Sequence, residues 1–292
     1  MEIYVVKSGD TVYSISRQFG ISPERLVSDN SLSPKRELAL GQSLLILKPR
    51  VVHTFQPGDT LFTIAQRYGT TVNRLYQNNP SLIGYKYIDI GTEIVIEFED
   101  TPSKTIEVSG FTYGYINRGI LETSLPYLTY LIPFGYGFTD EGKIITLNDS
   151  DMIDLAHSYG TSVLLSLSAI NVDGSFGSGK IERLLTDIEF QNKVISGFIE
   201  IILQKGAQGL DIDIEYVPPQ FREEYAAFAA NARSQLEPLG LILHLDLAPK
   251  ISPDQKGTLY EAHDYGLLGA AADYVFLMTY EWGYTYGHSG YR

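Results

Sequence analysis

The stretch Gly209-Leu210-Asp211-Ile212-Asp213-Ile214-Glu215-Tyr216-Val217 alternates carboxylates with large apolar residues. Side chains in a β-strand point to opposite faces with a period of two, so Asp211, Asp213 and Glu215 share one face while Leu210, Ile212, Ile214 and Tyr216 share the other. A strand with one face in water would also alternate. A solvated face, however, ordinarily mixes Thr, Lys, Ser and Glu, and this one is acidic throughout. In a closed parallel barrel one face of each strand meets helices and the other meets the lumen. Like charges crowded there push at least one carboxyl pKa upward, and an acid that keeps its proton near neutral pH can give it to a leaving group. Glu215, nearest the carboxyl end of the strand, is the best placed of the three for chemistry.

Around this stretch, strands are expected near residues 106–113, 128–138, 162–170, 209–217, 241–249 and 274–281. Helical patterns fall at 150–159, 181–204, 220–236 and 259–271. Strands alternating with helices imply a parallel α/β arrangement, and a (β/α)8-type barrel over 106–292 is its natural closure, here truncated after the sixth strand.

The amino-terminal third carries an internal repeat. Tyr4 to Ile15 matches His53 to Ile64 at a constant offset of 49, through Gly9/Gly58, Asp10/Asp59 and Thr11/Thr60, and on to Asn30/Asn79. One inserted residue near Pro80 shifts the offset to 50, where Leu32 matches Leu82. Each copy reads as strand, Gly-Asp-Thr turn with a helix cap, helix, second helix and closing strand. The modules are expected at 1–48 and 51–98, with 99–105 as a polar linker.

A chain of 292 residues, 44% hydrophobic and 20% charged, is of ordinary globular composition. Without cysteine there is no disulfide, no thiolate metal site and no cysteine nucleophile. The net charge of −13 opposes binding of nucleic acid through its phosphates. No run is long enough to span a membrane, and the amino end reads as neither basic nor apolar enough for a secretory signal. His53, His157, His244, His263 and His288 never fall at metal-ligand spacing and are expected to be structural or exposed. Acids two apart in a strand lie about 7 Å from each other, too far for all three to meet one small cation unaided. Gly174 to Ile181 fits a phosphate loop except that Ile181 stands where the magnesium-binding hydroxyl belongs. No metal and no cofactor is therefore expected.

The acidic stretch resembles the DxxDxDxE signature of glycoside hydrolase family 18, with Gln208 at its first position. The resemblance implies that Glu215 is the general acid and base, that Asp213 orients the substrate's acetamido group and that Asp211 supports Asp213. The sixth strand resembles the family's Met-x-Tyr-Asp ending: Met278 and Tyr280 match, and Glu281 replaces the Asp. Tyr280 would then donate to the acetamido oxygen, and Trp282 would either stack on a sugar or cap the barrel. Ser166-Leu167-Ser168-Ala169 departs from the family's Ser-x-Gly-Gly. The repeats resemble LysM modules, small βααβ units that bind N-acetylglucosamine-containing glycans. On that resemblance the sugar groove involves Gly9, Asp10, Thr11 and Leu32 in the first copy and Gly58, Asp59, Thr60 and Leu82 in the second. The module order is similar to that of the spore cortex-lytic N-acetylglucosaminidases. It implies a peptidoglycan or chitin-like glycan partner, a location at the spore coat or cortex and a retaining, substrate-assisted hydrolysis. The rival expectation is a glycan-binding barrel without turnover.

Overall fold

A computed structural model describes residues 2–33, 37–100, 104–168 and 178–280. The chain divides into two compact units, one formed by residues 1–107 with 117–128 and the other by 108–116 with 129–292.

In the first unit, β1 (Glu2–Val5), α1 (Val12–Phe19), α2 (Pro23–Asp29) and β2 (Ser43–Ile46) make one βααβ repeat, and β3 (Pro49–Thr54), α3 (Leu61–Tyr68), α4 (Val72–Asn78) and β4 (Glu93–Phe98) make the other. β1 pairs antiparallel with β2, and β3 with β4. The helices start and stop where local chemistry dictates. Thr11 and Thr60 close reciprocal capping boxes with Ser14 and Thr63, satisfying N–H groups that the first helical turn leaves open. Gly20 and Gly69 end the same helices with φ of 70° and 65°, a left-handed conformation that glycine adopts without a Cβ clash. The matched asparagines tie each second helix to its closing strand: Asn30 donates to the carbonyls of Leu26 and Leu45, and Asn79 to those of Leu75 and Val95. Each repeat buries its own small core, centred on Ile15, Leu26 and Leu44 in one and on Ile64, Leu75 and Ile94 in the other.

In the second unit β5 (Ser109–Thr112) opens a parallel sheet. The helix after it, α5 (Arg118–Ser124), groups with the first unit, where Pro126 accepts from the amides of Asn73 and Gln77. Then follow β6 (Tyr130–Pro133), a short hairpin of β7 (Gly137–Phe138) and β8 (Ile144–Ile145), α6 (Ser150–Ser158), β9 (Ser162–Ser168), α7 (Ser178–Thr186) and α8 (Ile188–Lys205). β10 (Gly209–Asp213), α9 (Arg222–Leu236), β11 (Ile242–Leu247), α10 (Tyr265–Ala271) and β12 (Tyr274–Leu277) complete it. The strands lie in the order β12-β11-β10-β9-β6-β5, all parallel, a curled sheet of six strands among the described residues. The sheet curls strongly: Phe111 and Phe276, from its two edge strands, approach to 5.3 Å between ring centroids. Leu210, Ile212, Leu243 and Leu245 are fully buried on the opposite face, where α8 and α9 cover the sheet. Gly209 lets β10 and β11 approach, since a Cβ there would collide with the Ile242 backbone.

Four expectations change, the first being that the helix expected over 259–271 begins only at Tyr265. The run 128–138 is not one strand, because β6 stops at Pro133 and the chain pairs again with β9 only at Tyr136, whose N–H donates to the Ser166 carbonyl at 2.7 Å. The helix expected over 181–204 is divided at Asp187, whose carboxylate caps α8 by accepting from the N–H groups of Glu189 and Phe190. The strand expected over 209–217 ends at Asp213, so Glu215 lies beyond the ladder, followed by Tyr216 at φ +56°.

Candidate active site

The acids sit at the centre of the sheet because β10 is flanked on both sides. Its Asp211 stands opposite Ser166 of β9 and His244 of β11, and its Asp213 opposite Ser168. Asp211 is wholly buried, Asp213 and Glu215 are half-buried, and Ile214 between them is buried. Alternation thus keeps Asp211 and Asp213 on the lumen face, and the turn after the strand brings Glu215 out at its carboxyl end, where chemistry in such barrels takes place.

Burial raises Asp211, opposed by the His244 imidazole, whose Nδ1 lies 2.6 Å from Asp211 Oδ1. Asp213 is pushed up to about 7, first by burial and then by the charges of Asp211 and Glu215. Asp246, one residue past Leu245 on β11, is driven up further by burial and by the same acids together with Asp213. Among the described residues Asp211 Oδ2, Asp213 Oδ1, Asp246 Oδ1 and the hydroxyls of Ser166 and Ser168 are buried polar atoms without a hydrogen-bond partner. Acceptors so arranged suit a ligand that brings N–H and O–H groups. Asp211, His244 and Asp246 form a group whose ligand atoms come within 4.8 Å of one another. Inside it His244 Nδ1 and Asp211 Oδ1 already lie at hydrogen-bond distance, 2.6 Å, a contact that a cation would have to displace.

His263 braces the turn. Its Nδ1 accepts the Ala248 N–H at 2.9 Å, and its other nitrogen faces the Ile214 carbonyl, 3.3 Å away. The accepting nitrogen has no proton, so the proton of the neutral ring sits on the one that faces the carbonyl. Burial pushes its pKa down to about 4, keeping the ring neutral. The backbone between Asp213 and Glu215 is thereby tied to the strand beside it. Buried Tyr225 on α9 stands near enough for Asp213, Asp246 and Asp211 to raise its phenol, after burial itself.

Met278 is buried, and its N–H donates to the Leu247 carbonyl at 3.0 Å. Tyr280 lies past the end of β12, 67% exposed, its ring 6.2 Å from that of Phe276. Glu281 and Trp282 lie outside the described residues, as do residues 174–177 of the run that resembles a phosphate loop. In the repeats, Gly9 and Gly58 occupy turns at φ 86°, Thr11 and Thr60 cap helices, and Leu82 is buried in a core that has Leu32, half-buried, as its counterpart in the first copy. Asp10 accepts from the Lys7 N–H and the Tyr4 hydroxyl, and Asp59 from the Gln56 N–H while pairing with His53.

His263 is structural, as expected, and buried His244 lies against Asp211 of the acid cluster. Asp246 joins it without having been among the expected site residues. A signal for His244 and Asp246 exists in the chain: Ile242-Leu243-His244-Leu245-Asp246-Leu247 alternates with the same period as the acidic strand. A cavity of about 350 Å³ beside the carboxyl ends of β10 and β11, lined by Arg222, Lys250, Ser252, Asp264 and Tyr265, has no such signal.

The LysM domain model matches residues 4–47 and 53–97, and the model for glycosyl hydrolases family 18 matches 94–289. The chain is 34% identical over 295 aligned positions to the cortical fragment-lytic enzyme of Bacillus anthracis, covering 98% of this chain and 67% of that protein. It is 32% identical to the enzyme of the same name from Bacillus subtilis, with the same coverage. Among solved structures, that of the spore cortex-lytic enzyme SleL of Bacillus cereus superposes with a TM-score of 0.74 at 30% identity, covering 98% of this chain and 66% of that one. A chitinase from Chromobacterium violaceum, at 20% identity and TM-score 0.57 over 62% of this chain and 57% of its own, shares the fold. The chain spans about two thirds of the length of the relatives it matches.

Proposed function

This chain belongs to family 18 of the glycosyl hydrolases and carries two LysM domains ahead of that region, and from that membership we propose that it cleaves N-acetylglucosamine glycosidic bonds in peptidoglycan of the spore cortex. The observation that carries the reading is the acid set on one strand end: a half-buried Glu215 two residues beyond Asp213, whose carboxyl is pushed up to about 7. Two carboxyl groups held in different environments are what acid–base chemistry on one bond requires.

Glu215 protonates the glycosidic oxygen of the leaving sugar. The substrate's own acetamido oxygen attacks the anomeric carbon, the substrate-assisted exception to two-carboxylate hydrolysis. Asp213, in its ionised form, receives the acetamido N–H and balances the positive charge of the oxazolinium ring, and Tyr280, with its hydroxyl on the acetamido oxygen, orients it. Water then opens the ring with Glu215 acting as base, so the anomeric configuration is retained. The unpartnered buried acceptors of Asp211, Asp213 and the two serines support a polar, donor-rich substrate. The LysM repeats hold the polymer nearby and raise the effective concentration of bonds. Names of the relatives support a place at the spore cortex.

The test is to incubate the chain with cortex fragments and identify the new reducing ends. N-acetylglucosamine ends released by the parent and not by Glu215→Gln support the reading. A second reading, a glycan-binding barrel without turnover, draws on β5 and β12, which each pair on one side only among the described residues. Binding without cleavage by parent and variant alike would establish it instead.

A further inference from the structure

The lumen of the sheet holds more acid than the proposed reaction uses. Asp211 and Asp246 are buried, and among the described residues one basic group, His244, lies between them, itself buried on β11. Its Nδ1 is 2.6 Å from Asp211 Oδ1 and 3.6 Å from Asp246 Oδ1. A nitrogen lone pair facing two carboxyl oxygens would be repelled by either one in its ionised form, whereas an N–H satisfies the nearer and attracts the farther. The three inward acids Asp211, Asp213 and Asp246 cannot all be charged in so dry a space. One donor aimed at one of them decides which.

We propose that His244 is a positioning residue: its Nδ1–H holds Asp211 ionised, and so leaves Asp213 as the acid that carries the exchangeable proton. The inference rests on the reading above, in which Asp213 is the acid that meets the acetamido group. The groups that face the imidazole are Asp211 from β10, Asp246 from its own strand and Tyr274, its register partner on β12, with Asp213, Glu215 and the Tyr225 phenol around Asp211. Asp246 keeps its proton, being deeply buried with three acids around it and its Oδ1 without a hydrogen-bond partner. Asp211 carries the charge, and that fixed charge is one of the two that hold Asp213 up. Without the imidazole donor the desolvation of Asp211 is unopposed, the proton moves to Asp211, and Asp213 loses its strongest charged neighbour.

The test reads Asp213 directly. Carboxyl titration by NMR on the full chain, with labelled aspartate, is compared among the parent, His244→Leu and His244→Asn, each checked for folding by circular dichroism. The Asp213 midpoint is expected to move to lower pH by about one pH unit in His244→Leu, the scale of a lost neighbouring charge, and to return toward the parent in His244→Asn, whose amide still donates. On cortex fragments, kcat is expected to fall about 10- to 100-fold in His244→Leu with KM little changed, the size of a lost charge-assisted hydrogen bond. An Asp213 midpoint unmoved in a folded His244→Leu overturns the proposal. So does a parent whose His244 Nδ1 carries no proton in the ¹⁵N spectrum, a measurement that needs no variant to fold. A parent that shows the expected titration but cleaves nothing counts against the hydrolase reading and leaves the His244 assignment standing.

Discussion

In the amino-terminal unit Asp10 and Asp59 sit in turns where backbone N–H groups reach them, while in the carboxyl-terminal unit Asp211, Asp213 and Asp246 face a lumen that offers few donors. The same side chain is held below its ordinary pKa in one place and above it in the other. Asp10 is lowered first by the Lys7 N–H and then by the Tyr4 hydroxyl, and Asp59 first by its bond with His53 and then by the Gln56 N–H. Asp213 is raised by burial and by two more acids. The difference teaches that a carboxylate's behaviour is set by the donors the fold delivers. A turn delivers them from three residues away, and a parallel sheet delivers them only from another strand.

The linkage to stability has opposite sign for the turn acids Asp10 and Asp59 and for the lumen acid Asp213. Acids with lowered pKa stabilise the fold above about pH 4, their unfolded value, and that contribution is lost as pH falls. An acid raised to about 7 costs the fold more as pH climbs from its unfolded value through that point. Acidification is therefore expected to loosen the repeats while relieving the lumen. Hydrogen exchange followed residue by residue across this range would report it, and the comparison breaks if β10 and the repeats lose protection together.

Substitutions sharpen the contrast. The largest effect is expected from Glu215→Gln, which removes the proton donor and lowers cleavage of cortex fragments by about 10²- to 10⁴-fold, read as new reducing ends, with the melting temperature unchanged. Next comes Asn79→Ala. Its amide donates to the Leu75 and Val95 carbonyls at 2.9 and 2.8 Å and accepts the Val95 N–H at 2.9 Å. Losing these buried bonds is expected to cost the second repeat about 2–3 kcal/mol in a denaturant titration. Asp213→Asn is expected to act in opposite directions on function and on stability. It lowers turnover, by less than Glu215→Gln does, yet raises stability at pH 8 by about 1–3 kcal/mol, a discounted fraction of the shift because the carboxyl is part-exposed. The rise disappears at pH 4, where the parent's acid is protonated as well. The smallest effect is expected from Thr60→Ala, about 1 kcal/mol for a lost helix cap, and Thr11→Ala should match it if the two repeats are as alike in energy as in sequence.

Much of this is legible in the residues. The constant offset between the repeats locates both βααβ units, because capping boxes, C-cap glycines and matched asparagines are local devices whose partners lie within a few tens of residues. The strict alternation over 209–215 places Asp211 and Asp213 on one face, since the period of a strand is fixed by backbone geometry. The run over 128–138 does carry breakers, Pro133, Gly135 and Gly137, but large apolar residues continue between and beyond them and mask the end of β6 at Pro133. Asp187 does carry a cap signal inside the helix expected over 181–204, but the apolar period continues across it and masks the break.

What the sequence determined by itself is everything that acts over a turn or along one strand: repeats, caps, the face each acid occupies and the family motif. The tertiary structure alone decided which distant groups stand beside those acids. His244 meets Asp211 across 33 positions of chain and His263 reaches the Ile214 carbonyl across 49. Parallel strands are joined by crossovers of many residues, so their register, and with it every donor an inward acid meets, is a property of the packed sheet and of no local segment.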